Sequence, residues 1–197
     1  DGVASLASLI LFRGDLVTVM FDGTNWLAFY LIQAPIFSVN DADFTLANSA
    51  SAQPYLLAAN DVLTLAVGLY EFESFVQIEA MGGTTRTTSW CLGGTAVLTD
   101  IQYTSLVQTG AALSLGTTSS VKTTQTAAAT AVNTTVATAA MSLRINNGIV
   151  RVGTAGTIIP QITWSADPTG TPVCKKNSYF RCSKIGPAAI ISGGEWA

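Results

Sequence analysis

The chain has 197 residues, 49% of them apolar and only 11% charged, with a formal net charge of −3. This length allows one domain with an appendage or two small domains, and it is enough to bury a substantial hydrophobic core. The nine basic residues are scattered apart from Lys175 and Lys176. This excludes the concentrated positive charge by which proteins bind nucleic acid or anionic membranes. No apolar run is long enough to span a bilayer, and we expect neither nucleic acid nor membrane among the partners.

Histidine is absent, which removes the commonest general base and the commonest metal ligand. The three cysteines are Cys91, Cys174 and Cys182, and an odd number argues against a disulfide framework. Cys174 and Cys182 would face each other across a hairpin in one interpretation. We favour the other interpretation, in which reduced thiols pack as small apolar side chains.

Residues 1–33 read as a separate β-hairpin stem. An apolar strand is predicted at residues 9–12, an alternating strand at 15–21 and a return strand at 26–32, with an Asp-Gly turn at residues 22–25. Both faces of the second strand are apolar or β-branched, which is typical of an intertwined oligomer. The residues predicted to form the oligomer interface are Val17, Val19, Phe21, Trp26 and Phe29.

Residues 34–197 read as a β-sandwich. Residues 34–59 are interpreted as a connector with one or two short strands. Strand patterns follow at residues 62–67, 69–80, 85–92, 96–107 and 111–115. The clearest is 69–80, where period-two alternation predicts a half-buried antiparallel strand. The side chains predicted to face inward are Tyr70, Phe72, Ser74, Val76, Ile78 and Ala80.

The second half of this domain begins with a Thr- and Ala-rich tract at residues 117–140, interpreted as loop and edge structure around one or two weak strands. Strands are then predicted at 141–146 and 149–153 around an Asn147-Gly148 turn, at 157–164 and at 178–185, with a loop at 167–172. Pro160 predicts an edge or a bulge. Eight to ten strands at this spacing predict an all-β fold, an antiparallel sandwich or jelly roll.

Several segments resemble bacteriophage structural proteins. GDLVTV at residues 14–19 and DGTNW at 22–26 resemble a hairpin of phage tail and fibre proteins. Four further segments resemble strands of a phage domain with a TNF/C1q-like jelly roll: LTL at 63–65 with YEFE at 70–73, LRINNGIVRV at 143–152, GTIIPQITWS at 156–165 and NSYFR at 177–181. The resemblance covers about 150 residues and implies a homotrimer on a virion, in a fibre, spike or head decoration. It implies no catalytic residues, and Lys175-Lys176 and the two late cysteines depart from it.

Acidic residues offer two candidate sites. Glu71, Glu73 and Glu79 share one strand face, and paired carboxylates at roughly 5–9 Å can hydrolyse glycosides. The alternative, which we favour, is a solvated face or contacts with arginines on neighbouring strands (Arg86, Arg144 or Arg151). Asp41 and Asp43 form an Asp-x-Asp, but the glycine turn and distal glutamate of a calcium loop are missing.

Other motifs favour structural readings. Arg13-Gly14-Asp15 is an integrin-type tripeptide, but flanking apolar strands favour a strand-initiating turn. Asn133-Thr134-Thr135 is a glycosylation sequon that matters only in a secreted eukaryotic protein. Trp90 and Trp164 are predicted to fill the sandwich core and Trp26 to pack at the oligomer axis; the alternative for these and for Trp196 is stacking on host sugars.

The sequence therefore predicts a virion structural protein and no enzyme, with no catalytic, cofactor or metal residues. Its expected partners are copies of itself, other capsid or tail proteins, and a host surface glycan or protein if the chain contributes to attachment. The alternatives are a glycan-binding receptor module, a bacterial surface adhesin and, third, a tailspike depolymerase acting through Glu71 or Glu73.

Overall fold

The computed structural model describes residues 16–21, 23–24, 26–32, 35–58, 61–110, 118–133 and 135–189. Throughout this part the chain forms strands, turns and loops and contains no helix. It follows that no helix there is long and apolar enough to cross a bilayer. The predicted fold class is confirmed, because antiparallel sheets pack on each other as a jelly-roll-like β-sandwich.

The described residues form seventeen strands, several of only two residues. In chain order they are β1 (Leu16–Phe21), β2 (Trp26–Ile32), β3 (Ile36–Val39), β4 (Phe44–Thr45), β5 (Gln53–Pro54), β6 (Leu63–Leu65), β7 (Gly68–Met81), β8 (Thr85–Arg86), β9 (Thr88–Gly93), β10 (Val97–Gly110), β11 (Thr118–Thr124), β12 (Thr130–Ala131), β13 (Val136–Ala137), β14 (Ala140–Thr154), β15 (Gly156–Trp164), β16 (Gly170–Cys174) and β17 (Tyr179–Gly186).

Two sheets make the sandwich. The larger has the order β11-β10-β14-β7-β16-β4, with β17 continuing beside β7 where β16 ends and β3 pairing β17. The smaller has the order β12-β9-β15-β5, and β6 also pairs β15. From β7 onward the chain passes repeatedly from one sheet to the other, which is how a jelly roll is wound. The short strands β8 and β13 pair separately.

Strand β7 forms because its sequence alternates, and its burial alternates in step. Tyr70, Phe72, Val76 and Ile78 are buried, as predicted for this face. The prediction fails at Ala80, which is exposed while the next residue, Met81, is buried. Ala80 has a φ of 59°, a left-handed conformation that reverses the alternation at the end of the strand.

The predicted turn at Asn147-Gly148 is wrong. β14 is one continuous strand that pairs with β7 and β10 on both sides of this point. Between Ile145 and Gly148, β14 advances by three residues while its partner β7 advances by only two. The extra residue forms a β-bulge, and Asn147 within it has a φ of 51°. An Asn-Gly pair supplies a left-handed residue equally well to a bulge or a turn, and the local sequence does not distinguish them.

Pro160 lies inside the smaller sheet, opposite Leu92 of β9. On the other side of β15, pairing with β6 ends at Ile158 and pairing with β5 starts at Gln161. The proline therefore occupies a gap between two short partner strands, where a missing donor is tolerated. The predicted edge or bulge is therefore wrong, because β15 has partners on both sides and pairs with β9 without a register shift.

The Thr/Ala-rich tract provides edge structure, as predicted, since β11 lies at the edge of the larger sheet and β12 at the edge of the smaller. Its described residues form three strands, with β13 as the third, where one or two were predicted. The predicted loop at residues 167–172 is shorter, because β16 already begins at Gly170. The predicted strands at residues 9–12 and 111–115 lie outside the described residues.

Aromatic side chains from both sheets meet in the core. Phe72 stacks on Trp90 with ring centroids 6.1 Å apart and on Phe180 at 5.8 Å. Tyr103 meets the edge of Trp90 at 4.9 Å. Trp90 and Trp164 are both buried in this core, which confirms their predicted place.

Candidate functional site

The outer face of the larger sheet carries a row of side chains that crosses five strands. The strand register aligns Val121 (β11), Leu106 (β10), Arg144 (β14), Phe75 (β7) and Tyr179 (β17). Residues directly opposite in antiparallel strands have neighbouring side chains. We call these five residues the outer row.

The outer row is largely apolar and accessible to solvent. Val121 is 70% exposed and Leu106 38% exposed, while Phe75 and Tyr179 are half-buried. Phe37 on β3 extends the apolar surface: it is 58% exposed and its ring centroid lies 5.6 Å from that of Tyr179. Contiguous apolar surface of this kind marks interaction sites on folded proteins.

Arg144 is the cation of the outer row. It is exposed, and its guanidinium carbon lies 5.5 Å from the centroid of the Phe75 ring. This is cation–π geometry, worth about 0.5–1 kcal/mol at an exposed position. The sequence offered a glutamate contact for Arg144 as one alternative to a solvated glutamate face, and Arg144 contacts the Phe75 ring instead.

A pocket of about 360 Å³ opens on the same face, beside the bulge of β14. Acidic, amide, hydroxyl, basic and apolar groups surround it. Its lining residues are Glu71, Phe72, Glu73, Asn147, Gly148, Ile149, Arg181, Cys182 and Ser183. Gly148 lets the buried Phe72 ring pack against β14 at this bulge, since a Cβ there would lie 2.6 Å from ring carbons.

The three glutamates of β7 have different surroundings. Glu73 accepts hydrogen bonds from Arg181 Nε at 2.9 Å and from Tyr179 Oη at 3.0 Å. Glu79 lies 3.7 Å from Lys175 Nζ. Glu71 is exposed and lies between Ile149 and Ser183 on the neighbouring strands. Desolvation, followed by the Glu73 contact, raises the pKa of Tyr179.

The arginines predicted to contact these glutamates do something else. Arg86 is buried at 1% exposure and donates to backbone carbonyls. Arg151 donates to the carbonyl of Ala188. Of the two alternatives, the solvated face describes the exposed Glu71, whereas Glu73 contacts Arg181 because β17 pairs with the half of β7 that contains Glu73. That pairing joins residues more than a hundred positions apart, and no local pattern reports it.

Asp43 has a structural role. Its carboxylate forms an ion pair with Lys175 and accepts the Lys176 backbone N–H at 2.7 Å. These contacts, the Lys175 hydrogen bond first, lower the pKa of Asp43. Asp43 thereby fixes the turn between β16 and β17. Within the described part of the chain no group of three or more potential metal-ligating Cys, Asp or Glu residues exists.

All three cysteines are buried and unbonded, as favoured by the sequence. The hairpin alternative is wrong, because β16 and β17 follow one another along the same side of β7. Cys174 lies opposite Ile78 and Cys182 opposite Phe72. Six residues of extended strand separate those partners by about 20 Å, far beyond disulfide range.

The β1–β2 hairpin forms as predicted, with Phe21 opposite Trp26 and Val19 opposite Ala28. The register shifts by one residue at Thr18/Val19, which makes Phe29 the extra residue of a bulge. Phe21 is 50% exposed. The side chains of Val17, Val19, Trp26 and Phe29 lie outside the described residues, so the predicted interface stays a prediction.

The remaining candidate residues belong to the scaffold or fall outside the described part. Asn133 Oδ1 accepts the backbone N–H of Thr88 at 2.7 Å, which uses its side chain to hold β9. The Arg13-Gly14-Asp15 tripeptide and Trp196 lie outside the described residues.

Comparison with known proteins assigns no family. No protein-family model matches the chain, and no curated protein matches it. Among solved structures it is similar to a chain in the structure of infectious bursal disease virus, Gx strain, with 7% sequence identity and a TM-score of 0.16. The match covers 84% of this chain and 44% of that chain, so this chain spans less than half of its length. At these values the similarity supports no assignment of function.

Proposed function

We propose that this chain is a structural subunit of a bacteriophage virion, in a tail fibre, a spike or a capsid decoration, and that it works as a homotrimer. The observation that carries the proposal is the exposed apolar surface on the larger sheet of a chain with only 11% charged residues. The phage-like segments at residues 14–26 and 143–152 support the virion as its location. Other capsid or tail proteins are its further partners.

Physical chemistry favours association of such a subunit. Val121, Phe37 and Val97 are 70%, 58% and 51% exposed in the single chain. Burial of apolar area stabilises by about 25 cal/mol per Å². Few charges oppose the approach of identical copies, and closed rings are the usual symmetric solution. In this proposal the β1–β2 hairpin extends the threefold axis, with Val17 and Trp26 packed along it.

The oligomeric state tests the proposal directly. Native mass spectrometry and sedimentation equilibrium of the full chain should give three times the subunit mass of 20.5 kDa. A monomer at high micromolar concentration contradicts it. Labelled antibodies against the chain, imaged on particles, should bind at one defined position on the head or tail.

The proposal gives the chain a mechanical role without catalysis. The test is incubation of the wild type with host surface polysaccharide, beside the Glu71→Gln and Glu73→Gln variants. We expect no release of oligosaccharide by any of the three. Release by the wild type that either variant abolishes would instead support a depolymerase.

A further inference from the structure

We infer that copies of this chain contact each other through the outer face of the larger sheet, with Arg144 of one copy entering the pocket beside Glu71 of the next. The inference rests on the proposed self-association. It adds to that proposal the face and the ion pair that join the copies.

The two outer faces of the sandwich differ in chemistry. On the smaller sheet, the strand positions that alternate with the buried Trp90 and Ile162 carry Ser89, Gln161 and Thr163, and the two apolar side chains among them, Cys91 and Ile159, are buried and half-buried. On the larger sheet, the outer row and Phe37 present the apolar surface described above. An apolar face gains more from being covered than a polar one, so the larger sheet is the face that association should bury.

The charges on this face are complementary between copies. Arg144 is exposed and contacts only an aromatic ring, without a carboxylate, among the described residues. Glu71 is exposed at the pocket, also without a basic partner among them. Arg144 lies opposite Phe75, four residues along β7 from Glu71. That spacing is about 13 Å, so the two cannot pair within one copy.

The neighbouring carboxylates are already matched inside the subunit. Glu73 pairs with Arg181, and Glu79 lies near Lys175. Glu71 is therefore the acid of the pocket that is available to a cation from outside. An arginine suits this role, since its planar guanidinium binds a carboxylate through two parallel hydrogen bonds.

The pocket has the shape and chemistry for an arginine side chain. Its volume of about 360 Å³ exceeds that of one guanidinium. Ile149 provides an apolar wall for the methylene groups, and the Asn147 amide lies at the rim as a further acceptor. In a closed ring, Arg144 of each copy contacts Glu71 of the next copy, so each Arg144 and each Glu71 has a partner of opposite charge.

Charge reversal tests this arrangement in the full chain. We expect Arg144→Glu and Glu71→Arg each to weaken self-association by about 30-fold or more, because each brings like charges together at the contact. The double variant Arg144→Glu/Glu71→Arg should regain most of the lost affinity. Sedimentation equilibrium measures all three, and circular dichroism melts verify that each variant folds.

The controls reverse the same charges elsewhere. Lys176→Glu in the β16–β17 turn and Asp41→Arg in the β3–β4 loop change net charge equally at exposed positions. They should leave the dissociation constant within about twofold of the wild type.

The outcomes separate this inference from the proposed function. Loss in the single variants with recovery in the double variant supports the inference. If the wild type is oligomeric and neither charge reversal changes its dissociation constant, the Arg144–Glu71 contact is overturned, whereas the proposed self-association is not. A wild type that stays monomeric overturns both, and it would assign this face to a different virion protein.

Discussion

Tyr55 and Ser74 join the two sheets through their hydroxyl groups, whose oxygens lie 2.5 Å apart at the centre of the sandwich. Trp90 Nε1 donates to Tyr55 Oη at 3.3 Å, and Ser74 Oγ donates to the carbonyl of Tyr179 at 2.9 Å. Because the Ser74 hydroxyl already donates its hydrogen to the Tyr179 carbonyl, it accepts the hydrogen bond from the Tyr55 hydroxyl. Burial raises the pKa of Tyr55 well above its usual range, which keeps this proton in place. This series of hydrogen bonds fixes the position of one sheet relative to the other.

We predict that Tyr55→Phe destabilises the fold by about 1–3 kcal/mol, because it leaves the buried Trp90 N–H without an acceptor. Urea unfolding followed by tryptophan fluorescence measures the change. A double-mutant cycle with Ser74→Ala should show coupling, since the two residues share one bond. Tyr179→Phe is the control: its hydroxyl bonds Glu73 near the surface, and its removal should cost less. Equal costs for Tyr55 and Tyr179 would contradict the prediction.

Gly148 is the position at which the bulge of β14 allows the Phe72 ring to pack. A Cβ added there would lie 2.6–2.7 Å from three ring carbons. We predict that Gly148→Ala destabilises the protein by about 1–3 kcal/mol, since Phe72 must shift within the aromatic core. Thermal unfolding gives the change in Tm.

Gly83→Ala is the matched control for Gly148→Ala. A Cβ on Gly83 meets no atom within 4 Å. This variant should change stability by less than about 0.5 kcal/mol. If Gly148→Ala behaves like Gly83→Ala, the close packing of Phe72 against the bulge is not the reason for glycine there.

The sequence predicted features that depend on local periodicity. Alternation identified β7 and its buried face, and strand patterns placed Trp90 and Trp164 in the core. It failed where long-range pairing decides the outcome. The outer row exists because five strands meet in one register, and Arg181 reaches Glu73 because β17 lies beside β7. The continuity of β14 likewise depends on neighbours at both sides.

Arg86 is a buried cation that ties three segments together through backbone carbonyls. Its Nη1 donates to Thr84 O at 2.6 Å and Pro168 O at 3.3 Å, and its Nη2 donates to Thr138 O at 2.8 Å. We predict that Arg86→Met costs about 3 kcal/mol or more, since these buried carbonyls lose their donors. Arg86→Lys should recover only part of it, because one ammonium cannot span the fork of a guanidinium. Full recovery in the lysine variant, measured by urea unfolding, would show that charge alone matters.

Stability should fall at alkaline pH because two thiols are buried. Burial raises the pKa of Cys174 from its usual 9.0 to about 11 and that of Cys182 to about 12. Above pH 9 these thiols ionise in the unfolded chain but stay neutral in the folded one, so ionisation lowers the free energy of the unfolded state and the free energy of unfolding falls. The stabilisation from Cys174 is complete below pH 9 and is lost as pH rises towards 11. The complete loss lowers the free energy of unfolding by roughly 2–3 kcal/mol.

Urea unfolding at several pH values from about 8 to about 10.5 measures this loss. Buried tyrosines also contribute to the alkaline slope, so the comparison with Cys174→Ala isolates the thiol. The variant starts less stable, since it leaves a small cavity, but its free energy of unfolding should fall less steeply with pH than that of the wild type. Parallel slopes would mean that Cys174 ionises as readily in the folded chain as in the unfolded one. In that case water reaches the Cys174 thiol, and the core beside Tyr55 is open.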